Sequence, residues 1–226
     1  MNVLTIDKFQ CLCQPHPGAS TLVYMIYPAI VPFNQKWIIE QSEHLKTSIV
    51  VVYVPADDWN DALTPWPEPG ETKTAPPFGG KASEFLDLLQ TKIIPQVEKI
   101  PELANIKNRD LLGVSLGGLF TLWQWLKCDT FRSIACLSGS FWYNGFLNWF
   151  ESQEIPGKNG HAYFLLGEEE PFSHIKAFQS VGKNTEEIVK RLENAGIPVK
   201  FDWVPGNHFS DPVHRATLAL TSLTSS

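Results

Sequence analysis

Residues 111–120 read LLGVSLGGLF, an apolar run broken by one serine with three glycines around it. Gly113-Val114-Ser115-Leu116-Gly117 has the form G-x-S-x-G. It lies between a strand-like run, Asp110–Val114, and an apolar segment of helical period, Leu116–Lys127. That is the setting of a nucleophile elbow. Such a serine must stand at a sharp turn with strained backbone angles, so that Oγ projects above the sheet edge. Side chains two residues before and after it would collide with the neighbouring strand and helix, which is why both positions are glycine. The N–H of Leu116 and the helix N-terminus then face any negative charge forming on a substrate carbonyl. The competing reading is a glycine-rich joint whose serine only caps the helix.

Working outward, short β-branched and aromatic runs recur at Thr21–Tyr27, Ser48–Val54, Ser133–Leu137, Ala162–Leu166 and Val199–Val204, and Val3–Cys13 alternates like a single strand. Near-continuous apolarity over such short runs is what strands covered on both faces require. Helix-period segments fall between them. Gln35–Leu45 is amphipathic, and Ser83–Lys99 carries an internal Pro95 that should kink it. Asn184–Ala195 has Asn184 as a cap, Glu187 in the capping-box position, and Gly196 and Pro198 as its stop. Pro212–Leu223 has Asp211 as cap and Pro212 at the first helical position. Strands alternating with helices predict a mostly parallel sheet with helices on both faces. No linker or repeat divides residues 1–226, so a single α/β domain is expected. The stretch Pro55–Gly80, rich in proline and carrying Trp59 and Trp66, reads as a long irregular loop, which is usually functional.

The formal charge of −6 is spread without a basic stripe, which argues against nucleic-acid and anionic-membrane partners. No basic, apolar leader opens the chain and no run is long enough to span a bilayer. Cys11, Cys13, Cys128 and Cys136 form no Cys-x-x-Cys pair and no zinc spacing, which predicts free thiols, a cytoplasmic location, and no metal or cofactor. No feature fixes an oligomeric state.

A nucleophilic serine needs a base and an orienting acid, in the chain order serine, acid, histidine for this architecture. His16 and His44 precede the serine, His161 begins a strand, His174 follows the candidate acids with no strand between, and His214 lies in the last helix. His208, in Val-Pro-Gly-Asn-His-Phe, follows the last strand, at the carboxyl end where sites of open sheets gather. The acid should follow the penultimate strand, where the chain reads Gly167-Glu168-Glu169-Glu170-Pro171. One carboxylate must turn inward. Glu170, fixed by Pro171, is the choice and Glu168 the second.

With Ser115, the Gly-Glu-Glu-Glu-Pro turn and His208 in order, the chain resembles the Putative esterase family of α/β-hydrolases, of the esterase D, feruloyl esterase and enterochelin esterase types. The resemblance is sharpest in 113–126, 138–143 (SGSFWY), 166–171 and 205–209, and runs loosely from Thr21 to the end. It implies an α/β-hydrolase fold without a separate cap domain. It places the triad acid at the last carboxylate of a Gly-x-x-Glu turn, which is Glu170. It also implies a second oxyanion donor in the loop after the first long central strand. Here that loop is Tyr27-Pro28-Ala29, and because Pro28 has no N–H the donor becomes Ala29, beside Leu116. Trp59, Trp66, Phe141, Trp142 and Phe209 are expected to wall an acyl or aryl pocket, or to pin the long loop to the body. The expected activity is serine-dependent hydrolysis of a small-molecule carboxylic ester. The alternatives are a hydrolase-fold binding protein without catalysis, or an acyltransferase.

Overall fold

The chain enters the computed structural model, which describes residues 1–225, as a hairpin. β1 (Asn2–Ile6) and β2 (Phe9–Gln14) pair antiparallel, with Ile6 opposite Phe9 and Asp7 at φ 53° in the turn. The alternating stretch expected to be one strand is therefore two, because Asp7 takes the left-handed conformation that reverses the chain. There follow β3 (Thr21–Pro28), α1 (Gln35–Leu45), β4 (Ser48–Val54) and α2 (Ala56–Ala62). The ribbon β5 (Pro67–Glu68) and β6 (Phe78–Gly79) leads to α3 (Ala82–Leu88), a π-helical turn over Leu89–Ile93, and α4 (Ile94–Val97). The remainder is β7 (Asn108–Val114), α5 (Leu116–Lys127), β8 (Ile134–Leu137), α6 (Phe146–Ser152), β9 (Ala162–Gly167), α7 (Val181–Asn194), β10 (Val199–Val204) and α8 (Pro212–Thr224).

Eight strands form one sheet in the order β1-β2-β4-β3-β7-β8-β9-β10. The hairpin and its junction with β4 are antiparallel and every other pairing is parallel. This is the α/β-hydrolase architecture. Both faces are covered, as the unbroken apolar strands require. Leu22, Tyr24 and Ile26 pack on one face with Val50, Val52, Val54, Leu111 and the apolar sides of α3, α4, α5 and α7. Val23, Met25 and Tyr27 pack on the other with Ile49, Val51, Tyr53, Leu112, Ile38 of α1 and Ala216, Ala219, Leu220 and Leu223 of α8. Each fully buried aliphatic or aromatic side chain contributes roughly 1.5–3 kcal/mol. Every residue of α5 from Leu116 to Trp125 is buried, so the helix behind the serine is pressed into the body.

Three local expectations change. The kink at Pro95 is a widened π turn immediately before it, which accommodates the backbone bond that proline cannot make. The helix expected to begin at Asn184 begins at Val181; the Asn184 amide instead donates to Phe141 O at 2.7 Å, a tertiary bond in place of a cap. The long stretch 55–80 is not irregular throughout. Asp57 and Asp58 sit in the first turn of α2, Asp58 pairs with Lys8, and Asp61 meets Lys81 at 2.6 Å. All four cysteines are free, and burial pushes the Cys11 and Cys13 thiols up to about 12. Among the described residues no helix is long and apolar enough to cross a membrane.

Candidate active site

Strand order locates the site. From β3 the chain crosses to β4 on one side, and later returns to place β7 on the other. The loops leaving the carboxyl ends of β3 and β7 thus diverge and leave a crevice between them. The loop of β7 is the serine turn. Ser115 has φ 57° and ψ −121°, a conformation that costs a non-glycine residue about 1–3 kcal/mol. The surroundings over-determine it. Its N–H donates to Leu137 O at 2.9 Å, and its carbonyl accepts from Gly118 (2.9 Å), Ser140 (3.0 Å) and Leu119 (3.1 Å). A side chain at position 113 would put its Cβ 2.1 Å from the Gly117 carbonyl oxygen, and one at 118 would lie 2.9 Å from Gly139 Cα. Gly113 lets β7 and α5 meet at this angle, and Gly118 lets α5 lie against the turn after β8. The Leu116 N–H opens α5 without a partner among the described residues.

His208 lies on the turn after β10, its Nε2 3.1 Å from Ser115 Oγ and its Nδ1 2.8 Å from Glu170 Oε2. Glu170 is 7% exposed, whereas Glu168 and Glu169 are exposed. Its other oxygen, Oε1, accepts from Ser138 Oγ (2.6 Å), the Gly167 N–H (2.8 Å) and Arg215 Nη1 (3.1 Å). Burial pushes this carboxyl up, but the bonds from His208, Ser138 and the Gly167 N–H outweigh it and hold the group below its ordinary value of 4.5. Arg215, 4% exposed on α8, also donates to Ser138 Oγ and, through Nη2, to the carbonyl of Asn207 at 2.8 Å. One guanidinium therefore ties the acid to the turn that carries the histidine. The arrangement can pass a proton from a serine hydroxyl to an imidazole whose other nitrogen is fixed by a carboxylate.

The structure brings Ser115, His208 and Glu170 together, with Leu116 beside them. It does not offer Ala29 as a donor: its N–H bonds Val54 O at 2.9 Å and continues the β3–β4 ladder. The next N–H, that of Ile30, has no partner among the described residues. The aromatic wall is mostly elsewhere. Phe141 is 1% exposed and packs on Phe146 and Phe164, because the chain turns inward after Ser140. Trp59 is half-buried against the core. Trp66 donates to Asn144 O at 3.1 Å and contacts Tyr143, Phe146 and Trp149, so it pins the long segment to the body. Trp142 packs on Phe178, with centroids 4.3 Å apart. Only Phe209 stands directly against the triad, edge-on to His208 at 5.1 Å.

Sequence reasoning missed Arg215, Ser138 and Ser140, the last with Oγ 3.4 Å from Ser115 Oγ. Arg215 had a readable signal. It shares the apolar stripe of Ala216, Ala219, Leu220 and Leu223, and a charge on a core-facing stripe must be paired.

A family model described as Putative esterase matches residues 33–220. The uncharacterized protein YbbA of Bacillus subtilis (strain 168) is 24% identical over 150 residues, 66% of this chain and 60% of that protein. The chain thus spans less than two thirds of that relative's length. Among solved structures, an IroE-like serine hydrolase from Shewanella oneidensis matches with a TM-score of 0.77 at 16% identity, covering 96% of this chain and 76% of that one. The siderophore hydrolase EstB from Aspergillus nidulans matches with a TM-score of 0.72 at 17% identity, over 99% and 94% of the two chains. At these identities the likeness is one of fold.

Proposed function

The chain belongs to the Putative esterase family, and on that premise we propose that it is a carboxylic ester hydrolase with Ser115 as its nucleophile, His208 its general base and Glu170 its orienting acid. The observation that carries this reading is the continuous relay from Ser115 Oγ through both ring nitrogens of His208 to Glu170, over 3.1 and 2.8 Å. Glu170 Oε2 accepts the Nδ1–H, which leaves Nε2 as the lone-pair nitrogen facing the serine. His208 Nε2 takes the hydroxyl proton as Oγ bonds to the carbonyl carbon. The carbonyl electron pair moves to oxygen, where the N–H groups of Leu116 and Ile30 receive it; Ile30 replaces Ala29 because its N–H is free. The imidazolium then gives its proton to the departing alkoxide, leaving an ester on Ser115. Water, deprotonated by His208, attacks that ester, and the returning proton restores Oγ–H. Arg215 touches no reacting atom. It is a positioning residue that fixes Glu170 and the histidine turn to one another.

The substrate is a small-molecule ester, and the likeness to EstB keeps siderophore esters among those to be tried. We take residues 1–226 as one catalytic domain, a reading supported by one sheet that takes strands from Asn2 to Val204. The four free thiols suit a reducing compartment, which favours the cytoplasm. The test is covalent labelling. A fluorophosphonate should add once, at Ser115, and Ser115→Ala should take no label and lose ester hydrolysis. Labelling elsewhere, or retained turnover, would overturn the assignment.

A further inference from the structure

Among the described residues the three most exposed large apolar side chains flank three parts of the site. Phe209, 85% exposed, follows His208; Phe172, 80% exposed, lies two residues past Glu170; and Ile30, 73% exposed, lies on the turn after β3. Val31 is exposed beside Ile30 on the same turn, and Val213 is exposed in the first turn of α8, just past the loop of Phe209. Single apolar side chains on a surface need no explanation. Three from separate loops at the carboxyl edge of one parallel sheet, around one serine, do. The strands that launch these loops, β3, β9 and β10, run parallel with β7, so all three loops leave on the serine's side.

We propose that these side chains form an open binding rim for a neutral ester with an extended apolar group, laid across Phe209, Phe172 and Ile30 while its carbonyl meets Ser115. This rests on Ser115 being the nucleophile. Continuity with the serine names the occupant, since any ester reacting there brings the rest of its molecule against the rim. The carboxylates beside it repel an anionic substrate, and the rim side chains themselves carry no charge, which suits a neutral one. Glu168, Glu169 and Asp211 are exposed within three residues of Glu170, Phe172 and Phe209, whereas the nearest exposed lysine in the sequence, Lys176, is four residues past Phe172. A short acyl group leaves the rim in water. Each added methylene covers more of it, and on an open surface gains about half the effect of complete burial, about twofold per methylene.

The test is a series of p-nitrophenyl esters from acetate to octanoate, each below its micelle concentration, on the wild type and the Phe172→Ser/Phe209→Ser double variant. In the wild type kcat/KM should rise about fifty-fold from acetate to octanoate. In the double variant that ratio should fall about tenfold, with the melting temperature unchanged because both side chains face water. A flat wild-type series, a ratio the double variant leaves intact, or a rise seen only above the micelle concentration would overturn the rim as the site of a dissolved apolar ester. Ser115→Ala turning over the acetate ester would strike at the nucleophile instead, so the two failures are distinguishable.

Discussion

The two ends of β7 use the same chemistry to opposite effect. At its start, Arg109 grips Glu98 with both prongs, Nε to Oε1 at 2.5 Å and Nη2 to Oε2 at 2.6 Å. Arg132 holds buried Asp110 in the same way, Nε to Oδ1 at 3.1 Å and Nη2 to Oδ2 at 2.8 Å. Such forked pairs occupy both oxygens and act as clamps. Beyond its other end, Arg215 reaches Glu170 through Nη1 alone and on Oε1 alone, so Oε2 remains for His208. A carboxylate held by both oxygens fastens the fold, whereas one held by a single oxygen is aimed and still free to serve. What separates a clamp from the proposed orienting acid here is one oxygen that the arginine leaves to His208.

The largest effect should belong to the serine at the proposed catalytic end. Ser115→Ala should lower the turnover of p-nitrophenyl acetate by about 10^5-fold, measured at an unchanged melting temperature. Glu170→Gln should cost about 10^3-fold in kcat, since an amide no longer selects the useful imidazole tautomer, while Glu168→Gln stays within about twofold. Equal losses at 168 and 170 would break the assignment of the acid. The sharpest use of the comparison is a pair of arginine variants. Arg215→Met should lower kcat about thirtyfold with KM nearly constant. Arg132→Met should leave kcat alone and cost about 3 kcal/mol of stability by stranding buried Asp110. If the two variants behave alike, the distinction between clamp and aim is lost.

The smallest effect is acid stability. Glu170 titrates below its ordinary 4.5 in the folded protein, so it stabilises the fold fully above that pH and loses the contribution as the pH falls through its depressed value. The gap in melting temperature between wild type and Glu170→Gln should be constant above pH 4.5 and close below it. A gap that widened on acidification would show the sign to be reversed.

The architecture was legible because its signals are local: doubly covered strands are apolar without a break, and helices carry a period. The meeting of Ser115 with His208 was legible because motif and chain order constrain both. Glu170 was only half so. Three adjacent glutamates look alike until Pro171 and the short turn after β9 bury the third. Ala29 misled for a tertiary reason: a count along the loop cannot see that β4 presents its last carbonyl to that N–H. Phe141 and Trp66 misled in the same way. Apolar rings near a strand end fit a pocket or a core equally well, and neighbours distant in sequence decide which.

The strained turn at Ser115 has a consequence in time. Its amide is tied into the β7–β8 ladder and its carbonyl to three N–H groups, so the backbone of the serine should open only when the sheet does. His208 rides on a surface turn secured by the Asn207–Ser210 bonds and by Arg215. Amide exchange at Ser115 should therefore follow global unfolding, while exchange in the histidine turn should run well ahead of it. On warming, the Ser115–His208 contact should part before the sheet melts, so that activity is lost at a lower temperature than the fold.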